Sequence, residues 1–285
     1  MSASSAITLL DGPLGSELAA RGVSTSLPLW SAAALDSAPE VVAAIHADYA
    51  AAGARVHTTN TFRTRPRDAG ERWELLARRA VRLARDSVPA GHRVAGSIAP
   101  LADCYRPDLS PTDSRPEHRD LARLLAEEGV DLLLCETFAH VPEALVAVEE
   151  AVATGLPTWV SFTAGPDADL LTPARLAAGA REAVALGAAA VLINCTSATR
   201  TLPYVRALAE LGVPCGAYAN AGAPDDAIGW RSSPEPGAQA YLELARAWVD
   251  AGATILGACC GTGPAHIRAL AQYFSRRAAS RPRDG

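Results

Sequence analysis

Leu186-Gly187-Ala188-Ala189-Ala190-Val191-Leu192-Ile193-Asn194-Cys195 decides the architecture. Its glycine reads as a helix C-cap that turns straight into a strand. The run Val191-Leu192-Ile193 shows no polar alternation, so the strand is covered on both faces, as in a parallel sheet. It ends abruptly on an amide and a thiol. The same helix-to-strand phrase recurs as Ala52-Gly53-Ala54 and Ala251-Gly252-Ala253.

Working outward, eight apolar, β-rich runs are predicted as strands, at 7–11, 55–61, 93–98, 131–136, 158–163, 190–195, 215–219 and 254–258. Each is followed by a helical pattern, at 39–51, 73–87, 117–128, 142–153, 173–186, 202–211, 238–251 and 264–276. The first is the clearest. Pro39 suits an opening helical turn, Val42, Ile45, His46 and Tyr49 recur on one face, and Gly53 ends it. Eight strand–helix units predict an α/β fold, a single (β/α)8 TIM barrel with its active site at the C-terminal ends of the strands. One domain is expected over 1–285, with its core at about 7–274 and a flexible tail at 275–285 carrying Arg276, Arg277, Arg281 and Arg283. An open doubly wound sheet is the alternative, but it would not unite the first and last strand ends.

Composition narrows the class. The chain has 285 residues, 49% apolar and 20% charged, which fits a globular protein with a large core. A net charge of −5 argues against a nucleic-acid partner. No apolar stretch approaches the roughly 20 residues of a membrane helix. The N-terminus lacks the basic region of a signal peptide, so a cytoplasmic location is expected. Six cysteines in so long a chain do not make a disulfide scaffold. Cys104, Cys135 and Cys215 read as buried or incidental. His46, His57 and His266 read as surface or packing residues.

In a barrel the strand ends converge on one mouth. There the chain places Asp11-Gly12, Thr58-Thr59-Asn60-Thr61-Phe62, Gly96-Ser97, Cys135-Glu136-Thr137, Asn194-Cys195, Tyr218-Ala219-Asn220 and Cys259-Cys260-Gly261-Thr262. Cys195, Cys259 and Cys260 could hold one zinc ion and leave its fourth position open, as a catalytic zinc requires. Other readings stay open for the rest. Asp11-Gly12 also fits an ordinary turn, Glu136 an arginine pair, and Asn194, Tyr218 and Asn220 loop-supporting hydrogen bonders.

These elements together resemble the homocysteine S-methyltransferase family, over about residues 8–270. The double-cysteine turn with the upstream Asn194-Cys195 is the most specific part. The resemblance implies a zinc-dependent methyltransferase of methionine biosynthesis, with Cys195, Cys259 and Cys260 as zinc ligands. It implies that Asp11, Gly12, Thr59 and Glu136 hold homocysteine, and that Trp30 lies near an onium donor. Asn194, Tyr218 and Asn220 are expected at the same substrate mouth. Where the betaine-dependent relatives carry an aromatic residue, this chain has Arg63, which weakens betaine as donor. S-methylmethionine is therefore expected first, S-adenosylmethionine second and betaine third, with Arg63, Arg65 or Arg67 available for a donor carboxylate.

The chemistry is coherent. Only a thiolate attacks a methyl group well, and an ordinary thiol has a pKa near 8.5. Three protein thiolates around zinc carry a net charge of −1, which suits a cationic donor. Such a donor departs neutral and needs no acid. Trp30 or Tyr218 can add a cation–π contact of roughly 0.5–2 kcal/mol. The same zinc–thiolate chemistry would serve another thiol or selenol acceptor. A non-enzymatic zinc or thiol sensor would leave Asp11, Thr59 and Glu136 without a task. A Schiff-base aldolase is excluded because the chain contains no lysine.

Overall fold

The computed structural model describes residues 7–230 and 234–279. Eight strands form one all-parallel sheet: β1 (Thr8–Leu9), β2 (Val56–Thr58), β3 (Arg93–Ile98), β4 (Leu132–Phe138), β5 (Thr158–Phe162), β6 (Ala190–Ser197), β7 (Cys215–Asn220) and β8 (Ile255–Leu256). Their spatial order is β1-β8-β7-β6-β5-β4-β3-β2. A parallel bridge from Leu10 to Val56 closes the ring into a (β/α)8 barrel.

Around the sheet run α1 (Leu14–Ala20), α2 (Ala34–Ser37), α3 (Pro39–Ala52), α4 (Pro66–Ala69), α5 (Trp73–Ser87), α6 (Arg115–Glu127), α7 (Val141–Val152), α8 (Pro173–Ala185), α9 (Leu202–Ala209), α10 (Pro234–Asp250) and α11 (Pro264–Ala279). No helix among the described residues is long and apolar enough to cross a membrane.

The repeated glycine phrase does what its chemistry suggests. Gly53, Gly187 and Gly252 take φ of 112°, 111° and 114°. The next residue's N–H then reaches five residues back, Ala54 to Tyr49 and Ala188 to Ala183 at 3.0 Å each, satisfying carbonyls at the helix end. Strand alternation sorts side chains into two cores. Leu10, Val56, Ala95, Leu134 and Leu192 fill the barrel interior. Leu9, Val94, Leu133, Val191 and Ile193 face the helices, meeting an alanine-rich layer from α5, α7 and α8. Burial of each large aliphatic chain contributes about 1.5–3 kcal/mol.

The differences from expectation lie at element ends. β1, β2 and β8 are shorter than the predicted runs because their final residues peel away to form the mouth. β4 and β6 are longer, since Phe138 in β4 and Ser197 in β6 pair again after an irregularity in register. The short α1 escaped the pattern because Gly15 interrupts its first turn. α11 runs to Ala279, so the predicted tail is helical over its first residues; 280–285 lie outside the described residues.

The basic run after β2 has a structural task. Arg65, 1% exposed, donates to the carbonyls of Ala99 and Pro100 and pairs with Asp68 at 2.6 Å. Arg67 donates to Leu101 O at 3.1 Å and binds Glu117. Both therefore tie the loop after β2 to the loop after β3, and neither is available to a donor. Arg65→Met should cost about 3–5 kcal/mol, because it leaves the buried carbonyls of Ala99 and Pro100 without this donor and Asp68 with Arg63 alone. A urea titration yielding a loss under about 1 kcal/mol would count against this role.

Candidate active site

Cys195 sits near the end of β6, where the register with β7 shifts between Asn194 and Ser197. Its φ of 49° is left-handed, as is the 66° of Thr137 in the matching irregularity of β4. Such irregularities re-aim side chains near functional sites, and a β-branched residue in this conformation is a costly exception. Asn194 braces both. Its Oδ1 accepts from Thr137 N at 3.1 Å and Ser161 Oγ at 2.8 Å, and its Nδ2 donates to Thr137 Oγ1 at 2.7 Å. Nδ2 also lies 3.5 Å from Cys195 Sγ. Asn220 Nδ2 donates to Cys195 O at 3.0 Å.

The turn after β8 delivers the other sulfurs. Cys259 N donates to Ala219 O at 2.9 Å, Ala221 N to Cys260 O at 2.9 Å, and Gly261 N to Ser16 Oγ at 3.0 Å. The three Sγ atoms all lie within 4.8 Å of one another. Cys259 and Cys260 Sγ are 3.9 Å apart, while Cys195 and Cys259 are in disulfide contact. Tetrahedral zinc at about 2.3 Å from each sulfur separates the ligands by about 3.8 Å, so the soft donor set and its spacing fit that ion once the pair is reduced.

Two carboxylates face the same space without a cationic partner among the described residues. Asp11 Oδ2 accepts from Thr58 N at 2.8 Å and Oδ1 from Thr58 Oγ1 at 3.0 Å. Burial pushes its pKa up to about 8, against the opposing pull of those bonds. Glu136 accepts from Ser97 Oγ at 2.5 Å and Tyr218 Oη at 3.1 Å. Burial likewise raises its pKa. The arginine pair that was open for Glu136 is absent. Two enclosed carboxylates, each oriented by neutral donors, have the chemistry to receive an ammonium group.

The remaining walls are equally specific. Thr61 Oγ1 donates to Ser97 O, so the Thr59 hydroxyl donates to Thr61 while accepting from Ser97 N at 3.0 Å. That leaves Thr59 one acceptor position. A Cβ on Gly12 would lie 2.6 Å from Tyr49 Oη, so only glycine fits there. Trp30 packs over Gly15 and meets Phe62 edge-on, with centroids 5.7 Å apart.

These groups line one cavity of about 420 Å³. Of the residues singled out in the sequence, Asp11, Gly12, Thr59, Glu136, Trp30, Arg63, Tyr218 and the three cysteines all reach it. Asn194 and Asn220 do not; they act as braces behind Cys195. Sequence reasoning missed Ser97 and Thr58 as orienting groups, although both stand at strand ends. It also set Cys104 aside as incidental, yet Cys104 and Tyr105 line the cavity from the loop after β3. Cys135 and Cys215 are buried as expected.

None of the three histidines is at the surface. The ligand atoms of Asp11, His46 and His57 also lie within 4.8 Å of one another. Here, however, Arg55 donates to His92 Nε2, which makes His92 Nδ1 the donor to His57 Nε2 at 3.0 Å. That lone pair of His57 is thus engaged with His92, while both ring nitrogens of His46 and Nδ1 of His57 are buried without a hydrogen-bond partner among the described residues.

Comparison with known proteins agrees with this geometry. A family model described as homocysteine S-methyltransferase matches residues 8–274. The homocysteine S-methyltransferase of Escherichia coli K12 is 35% identical, over 93% of this chain and 94% of its own. The oxidised form of the homocysteine methyltransferase MmuM from Escherichia coli superposes with a TM-score of 0.77 at 30% identity, covering 94% of this chain and 96% of that one. Its metallated form gives 0.74 at 29% identity, with the same coverage.

Proposed function

The chain belongs to the homocysteine S-methyltransferase family, and we propose that it transfers a methyl group from S-methylmethionine to homocysteine using zinc held by Cys195, Cys259 and Cys260. The observation that carries this reading is the convergence of three sulfurs and two unpaired buried carboxylates on one cavity. The metallated form of the Escherichia coli relative supports a metal. The all-thiolate donor set and its spacing support zinc as that metal.

Bound there, zinc would supply the Lewis acidity that makes the substrate thiol a thiolate at neutral pH. The chain's own residues do the rest. Asp11 and Glu136 hold the homocysteine ammonium, with Thr59 accepting a further N–H. Thr58, Ser97 and Tyr218 keep the two carboxylates aimed, which fixes the sulfur relative to the methyl carbon. Trp30 and Phe62 offer a π-rich wall to the sulfonium. The new S–CH3 bond forms as the donor's S–CH3 bond breaks. The donor leaves as a neutral thioether, and two methionines result. The donor therefore needs no general acid. The need for reduced thiolates supports a reducing compartment, the cytoplasm, for an enzyme acting on small molecules.

The test is methionine formation by reduced, zinc-loaded protein from homocysteine and each donor in turn. Turnover should be fastest with S-methylmethionine, then S-adenosylmethionine, then betaine. Equal or faster turnover with betaine would overturn the donor assignment, and no methionine from any donor would overturn the reaction.

A further inference from the structure

The cavity carries two opposite charges that the reaction has not used. Arg63 lines it from the loop after β2, and Asp103 lines it from the loop after β3. Arg63 Nη1 meets Asp68 Oδ1 at 3.2 Å, a contact that leaves the other guanidinium N–H groups free. Its side chain is 18% exposed, so the charge sits at the rim, partly shielded from water. Asp103 Oδ1 accepts from Tyr105 N at 2.9 Å, which holds the carboxylate in place. Arg63 and Asp103 face one cavity yet form no ion pair with each other among the described residues.

Their relative position is not left to chance. Arg65 and Arg67 clamp the two loops together through Ala99, Pro100 and Leu101. On the other side, Glu143 accepts from Leu101 N at 2.7 Å and Ser110 Oγ at 2.6 Å. A cation and an anion held apart on one rigid rim are complementary to a zwitterion. Tyr105, Trp30 and Phe62 line the same cavity and suit a sulfonium.

We infer that Arg63 and Asp103 form a clamp for the α-amino acid end of the methyl donor, Arg63 taking its carboxylate and Asp103 its ammonium. This rests on the methyl-transfer reading above and narrows the donor to a zwitterionic amino-acid sulfonium. Homocysteine's own ammonium belongs to Asp11 and Glu136. The two amino-acid ends are thus received at separate places, with the sulfurs brought together between them. A donor with a carboxylate and no primary ammonium, such as betaine or dimethylsulfoniopropionate, leaves Asp103 unpaired.

The experiment compares S-methylmethionine with dimethylsulfoniopropionate, on wild type, Asp103→Asn and Arg63→Ala, by steady-state kinetics and by calorimetric binding of each donor. Wild type should favour S-methylmethionine by about tenfold or more. Asp103→Asn should raise the S-methylmethionine KM and Kd by about tenfold, while leaving dimethylsulfoniopropionate and the homocysteine KM unchanged. Arg63→Ala should weaken both donors. If Asp103→Asn affects both donors equally, or neither, the clamp is wrong even when methyl transfer stands. Calorimetry decides the same question should turnover fail, since the clamp predicts S-methylmethionine binding sensitive to Asp103 regardless of rate. Asp103 is exposed, so its replacement should not perturb folding.

Discussion

Cys259→Ser is expected to remove the metal and to lower methyl transfer by at least about 10³-fold, well beyond the 10–100-fold that changes behind a metal ligand cost. The serine hydroxyl is isosteric enough to keep the turn, because that turn is held by backbone bonds from Cys259 N to Ala219 O and from Ala221 N to Cys260 O. The fold should therefore survive, with an unchanged far-ultraviolet circular dichroism spectrum. A hydroxyl remains protonated where a thiol bound to zinc does not, so the site loses both a soft ligand and a negative charge. Elemental analysis of the reduced protein should find about one zinc per chain in wild type and almost none in the variant. Full zinc occupancy in Cys259→Ser would overturn the assignment of this cysteine. Activity that persists without metal would overturn the proposed chemistry itself.

Glu136→Gln should lower kcat/KM for homocysteine by about 10²–10³-fold, the loss expected when a buried ion pair between ligand and protein is broken from one side. Zinc content should stay the same, which separates this effect from the first. The same variant has a pH signature. Burial makes both Glu136 and Asp11 bind a proton more tightly in the folded chain than in the unfolded one. For Asp11 the window runs from 3.8 to about 8. Within it the folded state holds more protons than the unfolded state, so stability falls as pH rises. Below it both states are protonated and the penalty vanishes. Glutamine cannot ionise, so substrate-free, metal-free Glu136→Gln should melt above wild type at pH 8 and level with it near pH 4. A lower melting temperature at pH 8 would show that the carboxylate is stabilising and the reading of its environment wrong.

Much of this protein is legible along the chain because parallel barrels write their pattern locally. The strand of 190–195 shows a continuous apolar run because both its faces are covered, and its preceding Gly187 must be left-handed whatever the rest of the fold does. Such signals involve neighbours only, and eight of them in order leave little topological freedom. The three converging thiols are legible for the same reason, since a thiol placed directly after a buried strand points to the mouth. The resemblance to a known family added roles to Asp11, Thr59 and Glu136 that their spacing alone left open.

What the chain did not show depends on contacts between residues far apart in it. Asn194 and Asn220 stand at strand ends like the cavity-lining residues, yet they turn behind Cys195, because which way a side chain points past a register shift depends on the neighbouring strand. Three arginines within five residues look equivalent in sequence. Only tertiary structure divides them, giving Arg65 and Arg67 to the carbonyls of a loop more than thirty residues away and Arg63 to the cavity. Asp103 carried no signal, since an acidic residue in a loop is ordinarily just solvated. Local chemistry thus determined the barrel, the three converging thiols and the site's location. The division of labour among the polar groups around them was decided by packing, because burial and the identity of a hydrogen-bond partner are properties of the folded neighbourhood, not of the residue.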